Sequence, residues 1–304
     1  MKVVALAGGT GSAKLLRGFA SLKCDLTVVS NVGDNLWIHG LYVCPDIDIA
    51  VYTLAGVSDA RRGWGLEADT FTVLGQLGFL GKETWFALGD RDLATHIVRT
   101  AAIREGRTLT QATEELSQSL GLKARVVPVT DSPLETRIST PGGEIGLQDF
   151  WVRRRGRPRV TGVRYEGAEA ASVTAEVMEA IRGADAVVVC PANPITSIGP
   201  MLAVGGLTES LASTSARVAA LSPMVGRSPF SGPAAKLMKG TGVTPDSLGV
   251  VRLYLGFLDA VVIDRRDEGM ARRIRDLGVR CRTSDTSLSS PAAEKRLARE
   301  LLAA

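Results

Sequence analysis

The sequence predicts an α/β fold: a Rossmann-like, mostly parallel sheet with helices on both faces and an inserted antiparallel subdomain. Three observations predict it. A short apolar run at 3–7 ends in glycines and gives way to a helical stretch, the strand, turn and helix order of a nucleotide-type unit. Buried apolar runs then alternate with helical patterns along most of the chain. Between 123 and 165 that rhythm breaks into successive short strands.

After the first strand, residues 12–20 read as a helix. Runs at 26–30, 84–88, 186–190, 218–221, 260–263 and 280–283 read as strands buried on both faces. Helical patterns at 92–105, 110–120, 171–182 (with Gly183 as a stop), 268–277 and 291–302 supply the covering layers. In the irregular segment, 125–129, 135–139, 144–153 and 160–165 read as strands, with Pro141-Gly142-Gly143 as a turn. The expected organisation is a core of 1–122 and 166–304, with 123–165 as the inserted subdomain. The arginines of 153–159 read as its solvated face.

Composition narrows the class. The chain has 304 residues, 45% apolar and 22% charged, which excludes disordered, collagen-like and disulfide-scaffold proteins. Lys and Arg number 36 against 32 Asp and Glu, a net charge of +4 and a pI near 9.0. So small an excess makes no nucleic-acid footprint and leaves phosphorylated small molecules as partners. The four cysteines form no C-x-x-C pair, so neither a zinc knuckle nor a redox dithiol is indicated. No apolar stretch approaches the roughly 20 residues of a membrane span, and the expected location is cytoplasmic.

Gly9, Thr10, Gly11 and Ser12 open the first helix, where unpaired N–H groups and the dipole stabilise an oxyanion. The spacing is not Walker A. It also misses G-x-G-x-x-G, because Lys14 stands at the third glycine, and no acid follows about 20 residues later to hold a ribose diol. A conventional NAD site is thereby disfavoured. Asp34, Asp46 and Asp48 fall in loop-like segments near the carboxyl edge of the sheet, and such carboxylates suit Mg2+. Asp34 and Asp48 are the candidate ligands and catalytic residues, whereas Asp46 reads as a helix N-cap after Pro45. The segment 85–96 joins an aromatic, a glycine turn and one of only two histidines, a place for a flat heterocycle. Asn193, Ser197 and Ile198 belong to a hydroxyl- and amide-rich turn after the strand at 186–190, suited to base or ribose recognition.

Taken together, GGTGSAKL at 8–15, SNVGDN at 30–35, HGLYVCPDIDIAVYTLAG at 39–56, GDRDLATH at 89–96, VTDSPLETRI at 129–138 and CPANPITSIGPML at 190–202 resemble the CofD family. These are the 2-phospho-L-lactate transferases of coenzyme F-420 biosynthesis. The resemblance implies transfer of a phospholactyl or phosphoenolpyruvyl group from a guanosine diphosphate-linked donor to the ribityl hydroxyl of the deazaflavin Fo. GMP would leave, with Mg2+ on Asp34 and Asp48, and two roles are open to Asp34: metal ligand or base. It places Trp85, Asp90, Thr95 and His96 at Fo, Asn193, Ser197 and Ile198 at the guanosine, and residues 10–12 at the diphosphate, and it implies a homodimer. The alternative is a nucleotide-sugar-binding regulatory protein of the gluconeogenesis-factor type, since a fold does not fix a function.

Overall fold

In the computed structural model, which describes residues 1–226, 228–229 and 232–304, the apolar runs become the strands of one sheet. Lys2–Ala7 (β1) is followed by Gly9–Ala20 (α1) and Asp25–Ser30 (β2). A hairpin of Leu36–Ile38 (β3) and Leu41–Val43 (β4) leads into Pro45–Ala55 (α2). Thr72–Phe79 (α3), Asp90–Arg104 (α4) and Leu109–Ser119 (α5) precede Arg125–Pro128 (β5). Glu135–Thr140 (β6), Gly143–Gly146 (β7) and Gly162–Glu166 (β8) follow, with a π-helical turn, Asp149–Arg153, between the last two. Next come Ala175–Arg182 (α6), Ala186–Val189 (β9), Ile198–Leu202 (α7), Leu207–Ser213 (α8) and Arg217–Leu221 (β10). The chain continues through the short pair Met224–Val225 (β11) and Ser228–Pro229 (β12), Ala234–Gly240 (α9), Ser247–Tyr254 (α10) and Ala260–Asp264 (β13). A 3-10 turn, Arg265–Met270, runs into Ala271–Arg275 (α11), and Arg280–Ser284 (β14) and Pro291–Leu302 (α12) close the chain.

Seven strands lie in the order β14-β13-β10-β9-β1-β2-β5, every neighbouring pair parallel. β9 and β13 are buried throughout, and β1 and β10 after their first residue, as strands covered on both faces must be. The edge strand β14, RCRTS, alternates instead, its arginines exposed and Cys281 and Thr283 half-buried. α1 packs against both α2 and α12. Gly18 permits the second contact, because a Cβ there would sit 2.4 Å from the Glu294 carbonyl oxygen.

Several expected elements differ. Residues 84–88 form no strand: between Gly81 and Gly89 the segment reaches no sheet edge, and Trp85 and Phe86 turn toward a cavity. The run at 125–129 pairs with β2 in the main sheet, so the antiparallel sheet, β7-β6-β8, is narrower than 123–165. The strand expected at 144–153 stops at Gly146, and the fully buried Phe150 anchors the π-helical turn that replaces its second half. The helix expected over 268–277 begins as a 3-10 turn, capped by the Asp264 carboxylate on the Arg266 N–H. That expected over 171–182 starts at Ala175, where the Thr174 hydroxyl accepts from the Val177 N–H. The β3–β4 hairpin had no counterpart in the pattern, and α2 was expected only as the helix that Asp46 would cap.

The glycine turn after β1 matters because other chain segments press on it. A Cβ on Gly11 would lie 2.5 Å from the Pro191 carbonyl oxygen, and one on Gly8 2.7 Å from both the Asp46 carboxylate and Ser197 Cβ. Gly11→Ala is therefore expected to destabilise the protein by ~1–3 kcal/mol. Gly75→Ala, with nothing within 4 Å, is expected to leave stability unchanged or raise it slightly. Urea denaturation of the two variants checks this.

Candidate active site

β1 stands between β2 and β9, and the chain builds outward from this point in both directions. At such a switch point the loops leaving neighbouring strands diverge and open a crevice at their carboxyl ends. Here a cavity of about 380 Å³ opens there, between the turn after β1 and the loop after β9. Its lining joins polar residues, Gly9, Asp34, Asp46, Asn193 and Ser197, to apolar ones, Trp64, Trp85, Phe86, Leu88 and Trp151. Asp48, Tyr52, Asp92 and His96, from α2 and α4, form part of the same wall.

The acidic end is organised by one amide. The buried Asn31 side chain donates through Nδ2 to Asp34 Oδ1 at 3.0 Å and to Asp46 Oδ2 at 2.9 Å, with the Thr196 carbonyl at 3.3 Å. Its Oδ1 accepts the Gly33 N–H at 2.9 Å, which fixes the orientation of the amide. Asp46 Oδ1 accepts the Gly9 N–H at 2.7 Å, so this carboxylate satisfies the first turn of α1 while sitting in the first turn of α2. Burial, then the charge of Asp46, push Asp34 well above the usual carboxylate range against the pull of Asn31. Asp46 is pushed up to about 6, chiefly by burial, with Asn31 and Gly9 opposing. The antiparallel subdomain pins the surrounding loops: Thr136 N–H donates to Gly33 O at 2.8 Å, Gln148 Nε2 to Asp34 O at 3.1 Å, and the Tyr165 hydroxyl to Ile195 O at 2.6 Å.

The wall beyond is a buried ionic network. Arg99, 1% exposed, holds both oxygens of Asp48, Nη1 at 3.1 Å from Oδ2 and Nη2 on Oδ1. The same Nη1 lies 3.2 Å from His96 Nδ1. A guanidinium has only donors, so in this contact Nδ1 accepts and Nε2 carries the ring proton. Tyr52 donates its hydroxyl hydrogen to Asp92 Oδ1 at 2.8 Å and receives that of Thr95 at 2.7 Å. Burial raises Asp92, but His96, Tyr52 and Arg99 together reverse that and hold it below the usual range.

Of the residues singled out in the sequence, Gly9, Thr10, Gly11, Asp34, Asp48, Trp85, His96, Asn193 and Ser197 line the cavity. Four do not. Ser12 is buried and closes the turn by bonding Gly8 at both its N–H and its carbonyl. Asp90 lies outside, accepting from the Thr70 hydroxyl and the N–H groups of Thr72 and Val73 at the start of α3, which lower it to about 2. Thr95 spends its hydroxyl on Tyr52, and Ile198 is core. Asp48 lines the cavity, but Arg99 already neutralises it, so its charge is spent before any cation arrives. Asp46 is no N-cap: Cys44 occupies that position, and Asp46 faces the site. Sequence reasoning also missed Asn31, Tyr52, Asp92 and Arg99. A signal existed for the last two, since Asp92, His96 and Arg99 recur at i, i+4 and i+7 on one helix face.

The sequence matches the CofD family, described as 2-phospho-L-lactate transferase CofD, over residues 3–294. The 2-phospho-L-lactate transferase of Methanosarcina mazei is 40% identical over 298 residues, covering 97% of this chain and 98% of its own. The phosphoenolpyruvate transferase of Streptomyces griseus is 39% identical over 310 residues, covering 99% and 98%. Among solved structures, a UPF0052-family protein from Bacillus halodurans gives a TM-score of 0.67 at 17% identity, covering 99% of this chain and 98% of that one, which shows a shared fold.

Removing Asp48 leaves Arg99 charged and unpaired in the interior. Asp48→Ala is therefore expected to cost ~3–5 kcal/mol of stability, equally with and without Mg2+. Chemical denaturation in the two conditions checks it. A loss appearing only with Mg2+ would return Asp48 to the metal.

Proposed function

The chain belongs to the CofD family of 2-phospho-L-lactate transferases and is an enzyme, and from that premise we propose its substrates and the division of labour in its cavity. The donor is a guanosine diphosphate ester of lactate or enolpyruvate, that is, GMP joined to phospholactate or phosphoenolpyruvate, and the acceptor is the deazaflavin Fo. The terminal ribityl oxygen of Fo forms a bond to the phosphorus that carries the acid, the bond from that phosphorus to the GMP oxygen breaks, and GMP leaves. The observation that carries this reading is the mixed lining of the cavity. A pair of carboxylates and a glycine turn at a helix N-terminus face a slot walled by Trp64, Trp85, Phe86 and Trp151.

Mg2+ fits the acidic end. Asp34 and Asp46 share one amide donor, and after burial the charge of Asp46 raises the proton affinity of Asp34, as expected of neighbouring carboxylates without a cation between them. Mg2+ takes one or two carboxylates and completes its shell with phosphate oxygens and water. Asp46 would hold it with one oxygen of Asp34, and Asp48 would not. When bound it supplies charge neutralisation to the diphosphate. The chain's own groups do the rest. The N–H groups at the start of α1 orient the phosphates, the 193–197 turn borders the guanosine, and the other oxygen of Asp34 accepts the ribityl proton.

We also propose a cytoplasmic homodimer. α3 buries none of its residues, and Phe79 and Leu80 are 83% and 62% exposed, an apolar surface that suits a second copy. No helix among the described residues is long and apolar enough to cross a membrane.

Mass spectrometry of a reaction containing Fo, Mg2+ and each donor in turn is expected to show the phosphodiester and GMP in equal amounts. Asp34→Asn and Asp46→Asn are expected to lower kcat about 100-fold or more. Full Mg2+-dependent turnover by Asp46→Asn would overturn the metal assignment. No turnover, alongside tight binding of a uridine nucleotide sugar, would favour the regulatory alternative.

A further inference from the structure

The cavity wall holds a carboxylate that the transfer chemistry does not use. Asp34 and Asp46 grip Asn31, and Asp48 is paired with Arg99, but Asp92, 6% exposed in the cavity wall, is held by neither. Its Oδ1 accepts the Tyr52 hydroxyl and lies 3.4 Å from His96 Nε2. Its Oδ2 accepts no hydrogen bond among the described residues. His96 Nε2 is itself buried without a hydrogen-bond partner, close to Asp92 but not aligned with it. Since Arg99 occupies Nδ1, that nitrogen carries the ring proton and faces Asp92 as a donor.

A carboxylate with donors on one oxygen only, its other oxygen not sealed from the cavity that Phe86 and Leu88 also line, is free to take a donor from a ligand. The slot admits a flat ring, and a flat ring presents donors along its edge, in its own plane. We propose that Asp92 is a specificity-determining residue that accepts a ring N–H of the bound heterocycle, of the cyclic imide class, with Tyr52 and His96 as its positioning residues. This rests on the acceptor assignment above. It places the imide edge against α4 and leaves the polyol side chain to run toward Asp34. A heterocycle of the same size and stacking area but without that N–H is the ligand this wall rejects.

The test is fluorescence titration of the intact protein with Fo and with Fo methylated at the imide nitrogen. Wild-type protein is expected to bind the methylated ligand at least tenfold more weakly. Asp92→Ala is expected to weaken Fo binding at least tenfold and to abolish the discrimination, binding both ligands alike, which mere loosening of the wall would not do. Tyr52→Phe, which keeps the ring and loses only the hydroxyl, is expected to narrow the discrimination without abolishing it. Equal affinity of wild-type protein for the two ligands overturns the inference without needing any variant, while Fo binding and turnover in that same sample leave the acceptor assignment standing. Discrimination that survives in Asp92→Ala also overturns it. Wild-type protein that binds neither ligand overturns both readings.

Discussion

The site depends on the Asn31 amide. Two buried carboxylates repel, and Asn31 lets Asp34 and Asp46 sit side by side by offering each one N–H of the same group. Because Asp46 also takes the Gly9 N–H, the arrangement ties the end of β2, the start of α1 and the start of α2 into one cluster. Gly8 and Gly11 belong to the same constraint. Side chains there would push the turn away from Asp46 on one side and Pro191 on the other.

Around this cluster the fold divides its work. The parallel sheet brings the loops after β1 and β9 together by strand order alone. The antiparallel sheet adds nothing to that order, yet it bonds Gly33, Asp34 and Ile195 and so holds the acid loop and the switch-point loop in register with one another. Its π-helical turn also delivers Trp151 to the cavity. α4 supplies much of the remaining wall, where Arg99 pairs with Asp48 and His96 stands between Asp48 and Asp92.

Much of this was legible in the sequence, for a physical reason. A parallel strand covered on both faces must be apolar at every position, and the runs around β1, β9, β10 and β13 announce themselves. The same signal misleads at 84–88, where the apolar residues face a cavity rather than a core. Asp34 was readable because it follows a strand in a glycine-containing loop. Asp46 was not, since its partners Asn31 and Gly9 lie 15 and 37 residues away and a Pro-Asp pair reads equally well as a cap. Asp90 and Asp92 illustrate the limit most sharply. Two residues apart on a helix they face different ways, one to the start of α3 and one to the cavity, and only the packing of α4 decides which. Arg99 was hidden because an arginine in an amphipathic helix reads as surface, whereas here it is among the most buried large side chains.

Asp46 and Tyr52 both line the cavity from α2. Six residues of helix separate them, about 9 Å of axial rise at 1.5 Å per residue. Asp46 meets the glycine turn through Gly9, and Tyr52 touches Asp92. On the proposed substrate assignment, one rigid rod would act as a ruler between the hydroxyl to be modified and the ring it hangs from. An acceptor whose polyol tether is one carbon shorter or longer would keep every contact at one end only by surrendering alignment at the other. Tether length would then be measured by the backbone of a helix rather than by any side chain that touches the tether.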